Sequence, residues 1–189
     1  MSGVVAYKFL RPGAIGPFSG HPWPVPPGPE PGEWVEAQPS AGPCRDGIHA
    51  CEPRHLPRWI WEELWEVELG GPVEARRHKL RAPRGRLLRR VEAWSPATAI
   101  AFARACADRA AEHATVAEAE GSSLASAMAA DGDELARDAA ADGGAYAAVR
   151  GAAVSSYVAA MTAYRAGGIE LHESERDRQA EWLIEELGL

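Results

Sequence analysis

All fifteen prolines of this 189-residue chain, and six of its seven tryptophans, lie before residue 97. Proline fixes φ, removes a backbone donor and breaks a helix interior. The first half therefore cannot be a helical bundle, whereas the second half, rich in alanine, is free to become one. Charge divides at the same place. Residues 1–95 carry thirteen basic against eleven acidic side chains, and residues 96–189 carry seven against sixteen. The seam falls near Trp94-Ser95-Pro96. These two patterns predict an α+β protein, with a small, mainly antiparallel sheet over residues 1–94 and an Ala-rich helical region over 95–189 packed on it.

Within the first half, Val4 to Leu10 is short, β-branched and aromatic, and Arg11-Pro12-Gly13 ends it, which predicts a strand. Ten prolines lie in residues 12–43, so that stretch is a long loop. Trp23, Trp34 and Val35 are expected to pin it to the body, and an ordered loop of this length commonly walls a pocket. Gly47–Cys51 predicts a second strand, with Ile48 and Ala50 on one face and His49 and Cys51 on the other. Glu52-Pro53 opens an expected helix to about Glu63. Alternation then predicts strands over 64–69, 77–82 and 85–91.

After Trp94 the period changes. Ser95-Pro96 is a helix cap followed by proline at the first helical position. Ala99, Phe102, Ala103, Cys106 and Ala110 recur at helical spacing. Gly121-Ser122-Ser123, Asp142-Gly143-Gly144 and Gly167-Gly168 divide the remainder, with a last helix from about Glu173 docked by Trp182, Leu183 and Leu187. Tyr146, Tyr157 and Tyr164 fall on one stripe, expected to be core. So alanine-rich a half implies leaning on the sheet or on a second copy of the chain.

Composition narrows the function classes. No apolar run approaches the ~20 residues of a membrane span. The N-terminus lacks the charged and long apolar regions of a signal peptide, which predicts a cytoplasmic protein with reduced cysteines. High Ala, Arg and Gly with only two lysines is the composition of a GC-rich bacterial genome. Arg76, Arg77, Lys79, Arg81, Arg84, Arg86, Arg89 and Arg90 form a basic stripe. The net charge of −7 argues against a nucleic-acid partner, and alternation puts the stripe on a solvated face or against the acidic half. No phosphate loop, dinucleotide fingerprint, Gly-x-Ser-x-Gly or His-Glu-x-x-His occurs.

The densest chemistry is Cys44-Arg45-Asp46-Gly47-Ile48-His49-Ala50-Cys51, with His55 just beyond. Cys44, His49, Cys51 and His55 are a candidate zinc set. Against it, all four fall within twelve residues and no second Cys-x-x-Cys exists. A Cys44–Cys51 disulfide needs an oxidising compartment. The simpler expectation is that Cys51 is a small buried residue and that His49 binds a carbonyl or lines a pocket.

Tyr7-Lys8-Phe9-Leu10, Cys44-x-x-Gly47-Ile48-His49-Ala50-Cys51, Leu56-Pro57-x-Trp59 and Glu63-Leu64-Trp65-Glu66-Val67-Glu68-Leu69 together resemble a family of uncharacterised actinobacterial proteins. The resemblance covers roughly residues 5–95, extends more loosely to phage and bacterial domains of unknown function, and implies fold and boundaries rather than chemistry. Separately, the order of strand, Gly-x-His, helix and Leu-Trp-Glu-Val-Glu-Leu strand resembles the core of small ADP-ribosyltransferase-like domains. That likeness implies a nucleotide such as NAD in a cleft, with His49 and Tyr7 orienting substrate and Glu66 or Glu68 as the carboxylate. The Ser-Thr-Ser strand of such domains is missing.

The leading expectation is a binding or interaction module for a small molecule or protein. Its cleft would lie between the first strand, the proline-rich loop and Gly47–Cys51, with Tyr7, Lys8, Trp23, His49 and Cys51 as ligand contacts. An enzyme in the same cleft, or a structural metal-binding protein, are the alternatives.

Overall fold

Seven strands, one 3-10 turn and three helices follow in chain order in the computed structural model, which describes residues 3–37 and 47–189. The chain divides into two compact units, Met1–Glu92 and Ala93–Leu189. The first is built on antiparallel strands and the second on helices, which makes the protein α+β.

In the first unit, β1 (Val4–Leu10) pairs along its whole length with β4 (Glu63–Gly70). β4 pairs in turn with β7 (Arg84–Arg90), and the short β2 (Val35–Glu36) lies beyond it. A second sheet holds β3 (Ile48–Ala50), β6 (Lys79–Ala82) and β5 (Glu74–Arg76), in the order β3-β6-β5. Pro83 alone separates β6 from β7, so one bent strand feeds both sheets. On the other side, Tyr7 and Cys51 exchange two backbone hydrogen bonds of 2.9 and 2.8 Å. The strands therefore close a ring, β1-β4-β7/β6-β3-β1, which hides most edges. Its interior is filled by Ala6, Leu10, Ile48, Ala50, Val67, Leu69 and Leu87, with Trp23 from the loop. The walls touch at Gly85, where a Cβ would stand 2.8 Å from Cγ2 of Ile48. Only glycine admits that approach.

Two expectations for this unit need correction. The helix from Glu52 to Glu63 is only a 3-10 turn, Pro53–Arg58. Pro57 has no N–H for an α-helical bond and its ring crowds the preceding turn. The bonds that form are His55 N to Glu52 O and Trp59 N to Leu56 O, both of i to i+3 type. The strand expected over 77–82 begins at Lys79, because Arg77-His78 turn β5 back onto β6.

In the second unit, α1 (Pro96–Ala119) starts where Ser95 Oγ accepts from the Thr98 N–H at 3.2 Å. α2 (Ser123–Asp142) ends at the left-handed Gly143. α3 (Ala145–Leu187) breaks at Gly167-Gly168, where Gly168 has φ +70°, and helical backbone resumes at once rather than near Glu173. The helices approach closely, since a Cβ on Gly151 would lie 2.6 Å from Cβ of Ala139. This spacing overturns the expected tyrosine core. Tyr146, Tyr157 and Tyr164 are 64%, 56% and 46% exposed, because the inner face of this part of α3 meets α2 at alanine distance and leaves no room for rings between them.

The same interior holds a polar network. Arg109 Nε donates to both oxygens of the buried Glu175, at 2.9 and 3.1 Å. Gln179 Nε2 donates to Glu175 Oε1 at 2.7 Å, and His113 Nε2 lies 3.3 Å from Oε2. Arg176 Nη1 donates to Ser156 Oγ at 2.7 Å and to Gln179 Oε1 at 3.0 Å. Buried charge is tolerated only when paired in this way.

Candidate functional site

Strand alternation separates the expected ligand contacts onto two sides of β1. Lys8 points to the core side with Ala6 and Leu10. Its Nζ donates to the His49 carbonyl at 2.7 Å and stands 5.3 Å from the centre of the Trp23 ring. Burial lowers its pKa to about 8, with the charge of Lys79 adding to the effect and Cys51 opposing it. Burial pushes the Cys51 thiol up to about 12, against the pull of Lys8. A thiol held protonated is neither a ready nucleophile nor a ready metal ligand. Lys8 thus joins Trp23 and the backbone of His49, while Cys51 lies opposite Tyr7.

Tyr7 faces outward instead. Its register partner is Glu66, whose Oε2 lies 2.5 Å from Arg89 Nε. The Tyr7 pKa is raised by burial and by the Glu66 charge, and Arg89 works against both. Beside them, Glu68 Oε2 accepts from Arg86 Nε at 2.7 Å. Arg84 and Arg86 both stack on Trp34, with guanidinium carbons 4.5 and 4.6 Å from the ring centre. Of the basic stripe, Arg86 and Arg89 are thus paired with carboxylates of β4, and Arg84 is held on the Trp34 ring.

A bulge in β7 determines what happens on the core side. Val67 pairs with Leu87 but Glu66 pairs with Arg89, so Leu88 is an extra residue. A one-residue slip exchanges the two faces of a strand. It turns Arg89 toward Glu66 and sets Arg90 opposite Trp65, on the side where Glu63 lies. There the proline-rich loop stands off the sheet and leaves a cavity of about 470 Å³. Ala14, Val25, Pro26 and Gly28 form its loop wall, and Glu63, Trp65 and Arg90 face them.

Glu63 holds this wall in place. Its carboxylate accepts from the backbone N–H groups of Gly13 at 3.1 Å and Ala14 at 3.0 Å, and from Trp65 Nε1 at 3.0 Å. Ala14 is fully buried with φ +57°, a conformation non-glycine residues avoid. Three donors satisfy the carboxylate, so Arg90 reaches it only at 3.6 Å, and Glu92 at 3.9 Å. The Arg90 side chain makes no hydrogen bond among the described residues. Sequence reasoning passed over Glu63, Trp65 and Arg90 as a site. The one available signal was Glu63 and Trp65 at i, i+2 on a strand facing the proline-rich segment.

Of the candidate metal ligands, Cys44 lies outside the described residues. The His55 ring packs edge-on against that of His78, 5.2 Å between centres. No three His, Cys, Asp or Glu side chains gather as they would round an ion among the described residues. No family model, curated protein or solved structure matches the chain.

Proposed function

We propose that the N-terminal unit is a binding module whose ligand occupies the cavity between the proline-rich loop and β4/β7. The ligand is a small molecule with a carboxylate or phosphate head on Arg90 and an apolar body against Trp65, Val25 and Pro26. The observation that carries this reading is the inequality between two neighbours. Glu63 accepts three hydrogen bonds, from Gly13, Ala14 and Trp65, which leaves the Arg90 fork in the cavity wall with ion pairs at 3.6 and 3.9 Å but no hydrogen bond. Arginine of this kind suits planar two-oxygen anions. A volume of about 470 Å³ lies within the usual range for small-molecule sites. The exposed Val25 supplies apolar surface that a ligand would cover.

An enzyme in this unit is supported less well. Glu66 and Glu68, the carboxylates of the ADP-ribosyltransferase-like reading, are each engaged by an arginine, and the Cys51 thiol is held protonated.

The test is calorimetric titration of the full chain with short aliphatic and aromatic carboxylates and phosphomonoesters, repeated on Arg90→Gln. Binding by one such class that weakens at least about tenfold, ~1.4 kcal/mol, in the variant is the expected result. Absence of binding across both classes, or binding indifferent to Arg90, overturns the reading.

A further inference from the structure

Residues 145–166 of α3 contain only two charged side chains, Arg150 and Arg165, in a unit that otherwise carries sixteen acidic residues. At ~100° per residue, Tyr146, Tyr157 and Tyr164 fall on one line along the helix. All three are exposed, and Ala153 and Met161 lie between them at intermediate exposure. Neither Arg150 nor Arg165 has a hydrogen bond or ion pair among the described residues. Tyrosine, methionine and arginine without acid or lysine is the composition of interface cores rather than of open surface. This face is independent of the cavity in the other unit.

We infer that the outer face of α3 over residues 145–166 is a self-association surface that receives the same face of a second copy, with the two helices antiparallel. Three features of the face select this occupant. A two-fold axis that sets Tyr146 against the partner's Tyr164 also sets Tyr157 against the partner's Ala153, so the outer tyrosines pair ring to ring and the central one meets a small residue. The same axis brings Arg165 to the end of the face where the partner's Asp142, the last residue of α2, stands exposed. Asp142 commits only Oδ1, to the Gly144 N–H at 2.9 Å. Finally, no arginine meets an arginine in this register, whereas a parallel pairing would oppose Arg150 to its own copy. A polyanion such as RNA would meet a unit with seven basic against sixteen acidic side chains, which disfavours it.

One 22-residue helical face is ~33 Å long and ~10 Å wide. Side-chain relief raises the buried area to the order of 1,000 Å² in total, at the low end for specific pairs. A dissociation constant on the order of 10 μM is expected.

The experiment is sedimentation equilibrium of the full chain from about 1 to about 200 μM, with Tyr157→Glu, Arg165→Asp and the double variant Arg165→Asp/Asp142→Arg. The wild type should dimerise with concentration. Tyr157→Glu should raise the dissociation constant at least about tenfold. Arg165→Asp should weaken the dimer, and the charge-swapped double variant should recover it. Unchanged helical circular dichroism confirms that these exposed substitutions leave the fold intact. A wild type that stays monomeric, including one that binds single-stranded RNA instead, overturns the inference. So does a dimer indifferent to Tyr157→Glu, and failure of the double variant to recover overturns the antiparallel register.

Discussion

Arg109 grips Glu175 with a single nitrogen, Nε donating to both carboxylate oxygens at 2.9 and 3.1 Å across 66 residues of chain. The contact ties α1 to the second segment of α3 inside an interior rich in alanine. Removing one partner of such a pair leaves an uncompensated buried charge, which costs ~3–5 kcal/mol. Glu175→Ala should therefore lower the unfolding free energy, read from urea titration of the helical signal, by that amount, whereas Arg137→Ala, in an exposed pair with Asp133, should change it by less than ~1 kcal/mol.

The same group governs acid stability. Burial raises the Glu175 pKa, but hydrogen bonds from His113, Arg109 and Gln179 outweigh it and the net shift is downward. Folding therefore favours the ionised form. Its contribution is complete above the ordinary carboxylate value of ~4.3 and is lost as pH falls through the lowered folded value. Thermal unfolding of the helical unit should be steeply pH-dependent below pH ~4.3, and Glu175→Gln should flatten that dependence. A variant with the wild-type acid profile would assign the sensitivity to other carboxylates.

Lys8 should act in the basic range with a slope of the same sign. Its folded pKa is lowered to about 8 from 10.5, so above pH 8 the unfolded chain holds a proton that the folded one has lost, and stability rises with pH. Cys51, raised from 9.0 to about 12, loses its proton first in the unfolded chain and works against that rise from pH 9 upward. A net gain confined to about pH 8–9 is expected. Lys8→Met should abolish it and be at least as stable at pH 7, because a buried charge is replaced by a packed thioether. Cys51→Ala should extend the gain toward pH 10.5. Equilibrium unfolding followed by tryptophan fluorescence at stepped pH reads all three.

Legibility in the sequence tracked the range of the physics involved. β1 needed only a β-branched run ended by Arg11-Pro12-Gly13, and α1 only the Ser95-Pro96 cap and an alanine face at helical spacing. The Gly167-Gly168 break was visible because no other residue pair so readily leaves helical geometry. What depended on distant neighbours was hidden. The tyrosines read as core because hydrophobic spacing says which face is apolar, not that Gly151 and Ala139 close the space beneath it. Arg90 reaches the cavity through a one-residue bulge at Leu88, which alternation alone cannot register. Glu63 and Glu175 each gather donors from 49 to 66 residues away, which no local pattern in the sequence can show.

Glu63 offers a direct test of how the loop is held. Glu63→Ala strands the Gly13 and Ala14 N–H groups and the Trp65 indole together, at ~1–3 kcal/mol for each group left unsatisfied. Hydrogen exchange at Ala14 and Trp23 should accelerate, since Trp23 N donates to Ala14 O and loses its anchor. Exchange at Val67, in the middle of β4, should change only by the global loss of stability. Uniform acceleration would mean that the loop and the ring of strands unfold as one unit.

Ring closure can be tested at Gly85. A methyl group there would stand 2.8 Å from Ile48 Cγ2 and 3.4 Å from the Glu68 carbonyl. The isoleucine is a side chain that can be shortened, whereas the carbonyl belongs to the paired strand. Gly85→Ala should therefore destabilise the N-terminal unit by ~1–3 kcal/mol, as overpacked cores do. Ile48→Ala alone should cost ~2–5 kcal/mol through the cavity it leaves. Because the added methyl enters that cavity, the double variant should be more stable than the sum of the two single losses by at least ~1 kcal/mol. Additive losses in urea unfolding would place Ile48 and Gly85 out of contact, and β3 would then not close over β7.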